Sequence, residues 1–213
     1  MTNKILDILK SRFTLHPIDA GDMATLKASG MTFKVEAYRA EGLGHVSVMR
    51  AKGFFGLMKM DTLIINPTEL DLPLYSYDRI LAMGNNTLIV ELYDTLVGDY
   101  SEDGMNAVKA KFTSLPERDP GEHWYDSIKL PSSISKKGKK ITSELDEMTL
   151  GHFEAYLSSS DTPVEDTESK KDKAAIYVNG LLEKGGPSTD VFKKQLGIEK
   201  TTKLFREILF GIS

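Results

Sequence analysis

Five consecutive segments between residues 31 and 93 have the pattern of strands, and this run constrains the fold more than any other feature of the sequence. In Thr32 to Ala40, for example, Phe33, Val35 and Ala37 recur at every second position. A period of two places the apolar side chains of a strand on one side of a sheet. The connections are short, and Gly84-Asn85-Asn86 suits a tight turn, so we predict an antiparallel meander. The five predicted strands are Thr32 to Ala40, His45 to Lys52, Gly56 to Ile65, Ser76 to Met83 and Thr87 to Tyr93.

Helical periodicity dominates on both sides of the strands. Residues 4–13 predict a short amphipathic helix that ends before His16-Pro17, because proline disfavours helical geometry in the preceding residue. Apolar residues recur at helical spacing in four later segments, around 102–115, 145–157, 174–182 and 204–212. Strands followed by helices favour an α+β fold with helices packed on a mainly antiparallel sheet.

The chain length fits one domain with a sizeable core, and no composition change marks a boundary. We therefore predict a single domain over residues 1–213. Two polar stretches are expected to be flexible loops, one at about 131–141 and one at about 158–172.

The composition excludes several kinds of site and partner. The chain has no cysteine, so a disulfide, an iron–sulfur cluster, a thiolate metal site and a cysteine nucleophile are all excluded. With only four histidines and no metal-binding motif, no metal site is expected. The net charge of -4 argues against a nucleic-acid partner. No stretch approaches the roughly 18 to 20 apolar residues of a membrane span, so no membrane partner is expected, and a cytoplasmic location is predicted.

Familiar nucleotide and hydrolase motifs are also missing from the sequence. There is no P-loop, no GxGxxG after a strand, no HExxH and no GxSxG. Gly42-Leu43-Gly44 and Gly185-Gly186 are interpreted as turn glycines. No tightly bound cofactor is therefore expected.

Two aspartates within predicted strands are unusual. Asp61 lies in the middle of one strand and Asp78 near the start of the next. Aspartate is depleted in strands and costly to bury without a partner. Either both face solvent or pair with a neighbour such as Arg79, or burial raises a pKa enough for a carboxylic acid to deliver protons near neutral pH.

The segment from His45 to Asp94 resembles the ferredoxin-dependent bilin reductases. Their pattern of a histidine-containing strand, a Pro-Leu-aromatic-x-x-Asp turn and an acid-Leu pair is similar to the residues here. Near the end of the chain, Pro187, Phe192 to Gly197 and Ile208 to Phe210 resemble the family's closing helices. The resemblance covers about half of the chain. Its most specific element is Pro73-Leu74-Tyr75-Ser76-Tyr77-Asp78.

This resemblance implies a three-layer α/β/α sandwich, in which helices flank a central antiparallel sheet. It also implies reduction of a linear tetrapyrrole such as biliverdin, with electrons from reduced ferredoxin or flavodoxin and protons from side chains. Such a ligand accepts electrons itself, so a chain without cysteine or a flavin motif can still be a reductase.

Asp78 falls on the family's principal proton donor, and Asp61, seventeen residues earlier, stands where other members have histidine or asparagine. Both are expected to be catalytic, and if they share a pocket they would titrate as a coupled pair. A second family acid, before the closing helices, is missing, because Gly185-Gly186-Pro187 stands at that position. Asp190 is expected to substitute for it in the ligand site.

The remaining expected substrate-binding residues come from the same resemblance. His45 and Ser47 lie on the histidine-containing strand, for which a structural role is the alternative, and Tyr75 lies in the turn. Cationic side chains would bind the propionates, because guanidinium groups match carboxylates. These candidates are Arg50, Arg79 and Lys193.

Two further hypotheses stay open, a tetrapyrrole-binding protein without reductase activity and a reductase of a different linear tetrapyrrole, such as a chlorophyll catabolite. A lysine-rich segment at 129–140 without acids is the candidate docking region for an acidic electron donor, and a solvated loop is its alternative.

Overall fold

The computed structural model describes residues 1–186 and 188–212, and the eight strands of that part of the chain form one antiparallel sheet. The strand order is β1-β3-β4-β5-β6-β7-β8, and β2 also pairs with β3. The strands are β1 Leu15–Ile18, β2 Thr25–Ala28, β3 Met31–Ala40, β4 Gly44–Gly53, β5 Met58–Pro67, β6 Leu74–Ala82, β7 Asn85–Tyr93 and β8 Ile134–Gly138.

The five predicted strands correspond to β3 to β7, and each pairs with the next in sequence order. The predicted meander is therefore confirmed. Its register places Thr62 opposite Asp78 and Asp61 opposite Arg79. Because neighbouring residues on a strand point to opposite faces, this register decides which of the acids can share a site.

Helices cover both faces of the sheet. They are α1 Thr2–Arg12, α2 Asp103–Lys111, α3 Thr142–Leu157, α4 Thr167–Lys184, α5 Thr189–Leu196 and α6 Ile198–Lys203, and α6 continues into a π-helical turn, Leu204–Leu209. Helices α1, α2 and α3 pack on what we call the closed face, and α4, α5 and the π-helical turn pack on what we call the cavity face. The predicted α+β class and the α/β/α sandwich are confirmed.

Both faces of the sheet are buried under helices. The closed face is tightly filled, with Val48, Leu63, Tyr75 and Tyr77 at zero exposure. On the cavity face, Met49 and Ile64 are buried together with side chains of α4, α5 and the π-helical turn.

Segment 131–141 was expected to be a flexible loop, but it contains β8, which pairs with β7 and forms one edge of the sheet. Lys136 on this strand is buried, and its Nζ donates to the Leu115 carbonyl at 3.2 Å and to the Glu117 carboxylate. Charged side chains are common on edge strands because they prevent pairing with other chains. The polar residues that predicted a loop are therefore those of an edge strand, β8. The other predicted loop, 158–172, ends earlier than expected, because α4 begins at Thr167.

A buried ion pair fixes helix α4 to the connection between β5 and β6. Lys170 has zero exposure, and its Nζ lies 2.8 Å from a carboxylate oxygen of Asp71. The same nitrogen donates to the Leu72 carbonyl at 2.5 Å. Asp71 also accepts bonds from the backbone amides of Val97 and Gly98. Removal of either partner of such a pair leaves a buried charge without compensation and destabilises the fold.

Among residues 1–186 and 188–212, no helix is long and apolar enough to cross a bilayer.

Candidate active site

A cavity of about 470 Å³ lies between the cavity face of the sheet and the C-terminal helices. Ligand-binding cavities commonly have volumes of this order. Its floor carries a few polar side chains of β5, β6 and β7. Its walls are mostly apolar and aromatic, formed by Phe33, Met49, Tyr125, Tyr177, Phe192, Phe205, Leu209 and Phe210. An apolar cavity with a few polar groups on its floor suits a large, mostly apolar ligand.

Asp78 stands on the floor of this cavity, near the centre of the sheet. Burial raises the pKa of its carboxyl to about 6, and the nearby Glu91 carboxylate adds to the increase. The Thr62 hydroxyl, directly opposite on β5, donates to Asp78 Oδ1 and partly counteracts that increase. A carboxyl with this pKa is protonated in an appreciable fraction of molecules near neutral pH and can act as a proton donor.

Glu91 forms a second acidic position on the same floor, on strand β7. The Tyr93 hydroxyl donates to Glu91 Oε2 at 2.6 Å. The Tyr93 ring stacks on Tyr177 with centroids 4.0 Å apart. Burial is the main cause that raises the pKa of both tyrosines, so both hydroxyls stay protonated at physiological pH. The floor therefore carries two carboxyl groups with tyrosine hydroxyls beside them.

Further polar groups line the cavity wall. Arg118, which donates to the Ser135 hydroxyl at 3.3 Å, supplies a cation. Within the described ranges, His123 Nδ1 and Thr189 Oγ1 are buried without a hydrogen-bond partner. Buried polar atoms normally have a partner, so these two are available to a ligand's polar groups.

Asp61 does not share this cavity with Asp78. It points to the closed face, where its carboxylate accepts a bond from the Thr2 hydroxyl at 3.2 Å. The shared pocket that a coupled pair of Asp61 and Asp78 would require is therefore not present. Thr62, sixteen residues before Asp78, is the residue that faces it, and the spacing of seventeen residues places Asp61 one position further along the strand. A slip of one residue moves a strand side chain to the opposite face.

Three other expected substrate-binding residues also lie on the closed face. Arg50 pairs with Glu36 at 2.7 Å, and Arg79 pairs with Asp146 at 3.3 Å. Tyr75 has zero exposure and packs on the aromatic rings of α3. These residues stabilise the packing of the closed face, and the expectation that they contact a ligand in the cavity is wrong.

His45 and Ser47 are on the cavity face but lie under the end of the chain. His45 Nε2 lies 2.8 Å from the Ile208 carbonyl, and the Ser47 hydroxyl donates to the Leu209 carbonyl at 2.8 Å. Asn66 Nδ2 donates to the next carbonyl, that of Phe210, at 2.8 Å. Burial lowers the pKa of His45. We call these three side chains the C-terminal clamp. The contacts of His45 therefore fit a structural role, which was the alternative to ligand binding. Neither His45 nor Ser47 lines the cavity.

The two expected residues of α5 lie beside the cavity rather than in it. Asp190 is exposed, while its neighbours Thr189 and Val191 line the cavity. Lys193 Nζ donates to the Leu182 carbonyl and so ties α5 to α4. Pro187, on which the closing helices were aligned, lies outside the described residues.

Sequence reasoning missed most of the polar groups around Asp78. The strand register places the side chains of Thr62 and Glu91 on the same face of the sheet as Asp78. Glu91 also belongs to the acid-Leu pair of the resemblance. Both residues could therefore have been predicted from the strand pairing. Arg118 and His123 lie in an irregular segment whose path over the sheet has no periodic signal. Groups of three or more side chains suited to a metal ion are absent from the part of the chain that the structure describes.

No protein-family model matches this sequence, and no curated protein matches it. Among solved structures, the fold is similar to that of phytochromobilin synthase from tomato, a protein crystallised in complex with biliverdin. The TM-score is 0.76 over 99% of this chain and 81% of that chain, with 14% sequence identity. The resemblance identified in the sequence is thereby confirmed in three dimensions, and this chain has the fold of a bilin reductase.

Proposed function

We propose that this protein reduces a linear tetrapyrrole of the biliverdin type, with electrons from ferredoxin or flavodoxin and with Asp78 as the principal proton donor. The observation that carries the proposal is Asp78, a half-buried carboxyl of raised pKa on the floor of a mostly apolar cavity. The fold shared with a protein crystallised with biliverdin supports the choice of ligand.

The cavity supplies what such a ligand requires. Aromatic side chains such as Phe192 and Phe205 would stack against the pyrrole rings. Arg118 at the wall would bind a propionate, in place of the arginines expected from the sequence. Asp78 on the floor would donate a hydrogen bond and then a proton to the central nitrogens.

The reaction balances if each two-electron reduction consumes two electrons and two protons. The electrons come from the external reduced donor, because the chain has no cysteine with which to hold an iron–sulfur cluster of its own. Asp78 supplies one proton and is reprotonated from solvent. Glu91 and the Tyr93 hydroxyl are the neighbouring groups through which a second proton can pass.

Mixing the purified protein with biliverdin and recording visible spectra tests the proposal. A shifted spectrum on binding, followed by a new absorption maximum when reduced ferredoxin is added, is the expected result. A shifted spectrum that reduced ferredoxin leaves unchanged would instead identify a tetrapyrrole-binding protein. Absence of any change with biliverdin would contradict both, and a chlorophyll-derived linear tetrapyrrole would then be the ligand to test.

Asp78→Asn and Asp61→Asn form a matched pair for the proposed role. Asp78→Asn is expected to bind the bilin but to accumulate a long-lived radical, because electrons arrive and protons do not. Asp61→Asn makes the same chemical change on the closed face and is expected to turn over normally. Unimpaired turnover in Asp78→Asn would refute the assignment of the proton donor.

A further inference from the structure

Three turns lie at one end of the sheet, and two of them carry exposed apolar side chains. They are the β2–β3 turn at 29–30, the β4–β5 turn at 54–57 and the β6–β7 turn at 83–84, and we call them together the hairpin end. Strand pairing places the three side by side, because Met31 lies opposite Gly53 and Met58 lies opposite both Gly53 and Ala82.

The apolar side chains of the hairpin end are unusually exposed. Phe55 is fully exposed at 109%, Met83 is 87% exposed and Leu57 is 68% exposed. Isolated exposed apolar residues are common, but a contiguous group marks an interaction site. Phe54, half exposed, also lines the cavity together with Met58, so the apolar surface continues into the cavity mouth.

Backbone strain supports a role for this group. Phe54 and Phe55 have φ angles of 51° and 53°, and Met83 has φ of 50°. Bulky residues rarely adopt this left-handed region, which costs on the order of 1 kcal/mol or more for each residue. Asparagine or glycine would fit these turns better, and the apolar side chains of Phe55 and Met83 give the fold almost no burial in return.

Lysines surround the hairpin end on the closed face. Lys27, Lys34, Lys52 and Lys59 come from four neighbouring strands, and all four are exposed. Lys52 and Lys59 lie directly opposite one another, an arrangement of like charges that destabilises a strand pair. In the described ranges none of the four makes an ion pair, and residues 27–34, 50–60 and 79–86 contain no acid. This basic region stands out in a chain with a net charge of -4.

We propose that the hairpin end is a peripheral binding site for an anionic lipid surface. Apolar side chains on projecting turns can enter the boundary between headgroups and acyl chains, while surrounding lysines contact the phosphates. An acidic protein would match the lysines, but the apolar residues here protrude from separate turns instead of forming a flat patch. The site goes beyond the proposed reaction and places the cavity mouth next to the lipid surface. It requires no membrane-spanning helix.

Sedimentation with vesicles tests the proposal on the whole chain. We expect binding to vesicles of equal parts phosphatidylglycerol and phosphatidylcholine, with much weaker binding to phosphatidylcholine alone and a strong decrease at high salt. Phe55→Asn with Met83→Asn should weaken binding at least about tenfold, because two apolar anchors are lost. These substitutions suit the left-handed backbone, so folding is preserved.

Matched controls separate the site from general surface properties. Ile176→Gln with Ile198→Gln removes two exposed apolar residues elsewhere on the surface and should leave binding unchanged. Lys52→Glu with Lys59→Glu should abolish binding to the anionic vesicles.

Lys111→Glu with Lys171→Glu makes the same charge change away from the hairpin end and should retain most of the binding. No binding to anionic vesicles, or equal weakening by the control variants, would overturn the proposal. Retention on immobilised polyglutamate without vesicle binding would also overturn it and assign the surface to an acidic protein.

Discussion

Replacing Asp78 by asparagine is expected to stabilise the ligand-free protein at neutral pH. A carboxyl that is costly to ionise in the folded state weakens folding whenever the solution pH favours its charged form. Asparagine has a similar shape, stays neutral, and keeps an oxygen that can accept the bond from the Thr62 hydroxyl. The substitution therefore removes the cost of the charge without removing that hydrogen bond.

The raised pKa of Asp78 determines the magnitude of this effect. Below the ordinary value of 3.8, both the folded and the unfolded chain are protonated at this position, and there is no contribution. Between 3.8 and about 6 the folded state holds more protons than the unfolded state, so stability falls as the pH rises. Each tenfold change in proton affinity is worth about 1.4 kcal/mol, which gives a full penalty of about 3 kcal/mol above the folded pKa.

That value is an upper limit because Asp78 is partly exposed to the cavity, where water stabilises its charged form. We expect Asp78→Asn to increase the free energy of unfolding by about 1 to 3 kcal/mol at pH 8. The increase should decline toward zero near pH 4. Urea unfolding of both proteins at several pH values in this range measures the difference directly.

An equal effect of the substitution at pH 4 and pH 8 would show that the carboxyl is not destabilised by ionisation. A direct titration of the Asp78 carboxyl by NMR with a midpoint near 3.8 would refute the same reasoning. Asp61→Asn, the equivalent change on the closed face, controls for the replacement of a carboxylate on this pair of strands.

Three further predictions concern the surroundings of Asp78 and the ion pair of α4. Thr62→Val removes a donor to the ionised carboxyl and should raise the pKa of Asp78 further, which an NMR titration would detect; a lower midpoint would contradict it. Glu91→Gln removes a nearby negative charge and should lower that pKa in the same titration, whereas an increase would show that the two carboxyls do not interact. Lys170→Met leaves the Asp71 carboxylate buried without its cation and should destabilise the fold by about 3 to 5 kcal/mol in urea unfolding; a loss below about 1 kcal/mol would contradict this.

The central sheet could be predicted from the sequence because five long strand-like segments follow one another along the chain with short connections between them. The short strands β1, β2 and β8 could not. β1 and β2 have four residues each, too few for a periodic signal, and β1 contains Pro17. Strand β8 contains one isoleucine, which is buried, and three lysine or serine residues. Its sequence is therefore as polar as that of a loop.

The site was predicted only in part, because one residue of register separates a cavity residue from a closed-face residue. Asp78, which the resemblance singled out, lies on the cavity floor. Asp61 does not, because its neighbour Thr62 occupies the facing position. Arg118 was missed because it lies in an irregular segment between α2 and β8. Such a segment has no periodic pattern from which its position over the sheet could be predicted.

The C-terminal clamp has a consequence for the order in which the protein matures. The carbonyls of Ile208, Leu209 and Phe210 are bound by side chains of strands that precede them by more than 140 positions. Leu209 and Phe210 are themselves part of the cavity wall. During synthesis the sheet leaves the ribosome long before these residues do, so the nascent protein has a floor without one of its walls. In the proposed function, ligand capture therefore follows the docking of Leu209 and Phe210 on the sheet, and ligand binding reports that docking.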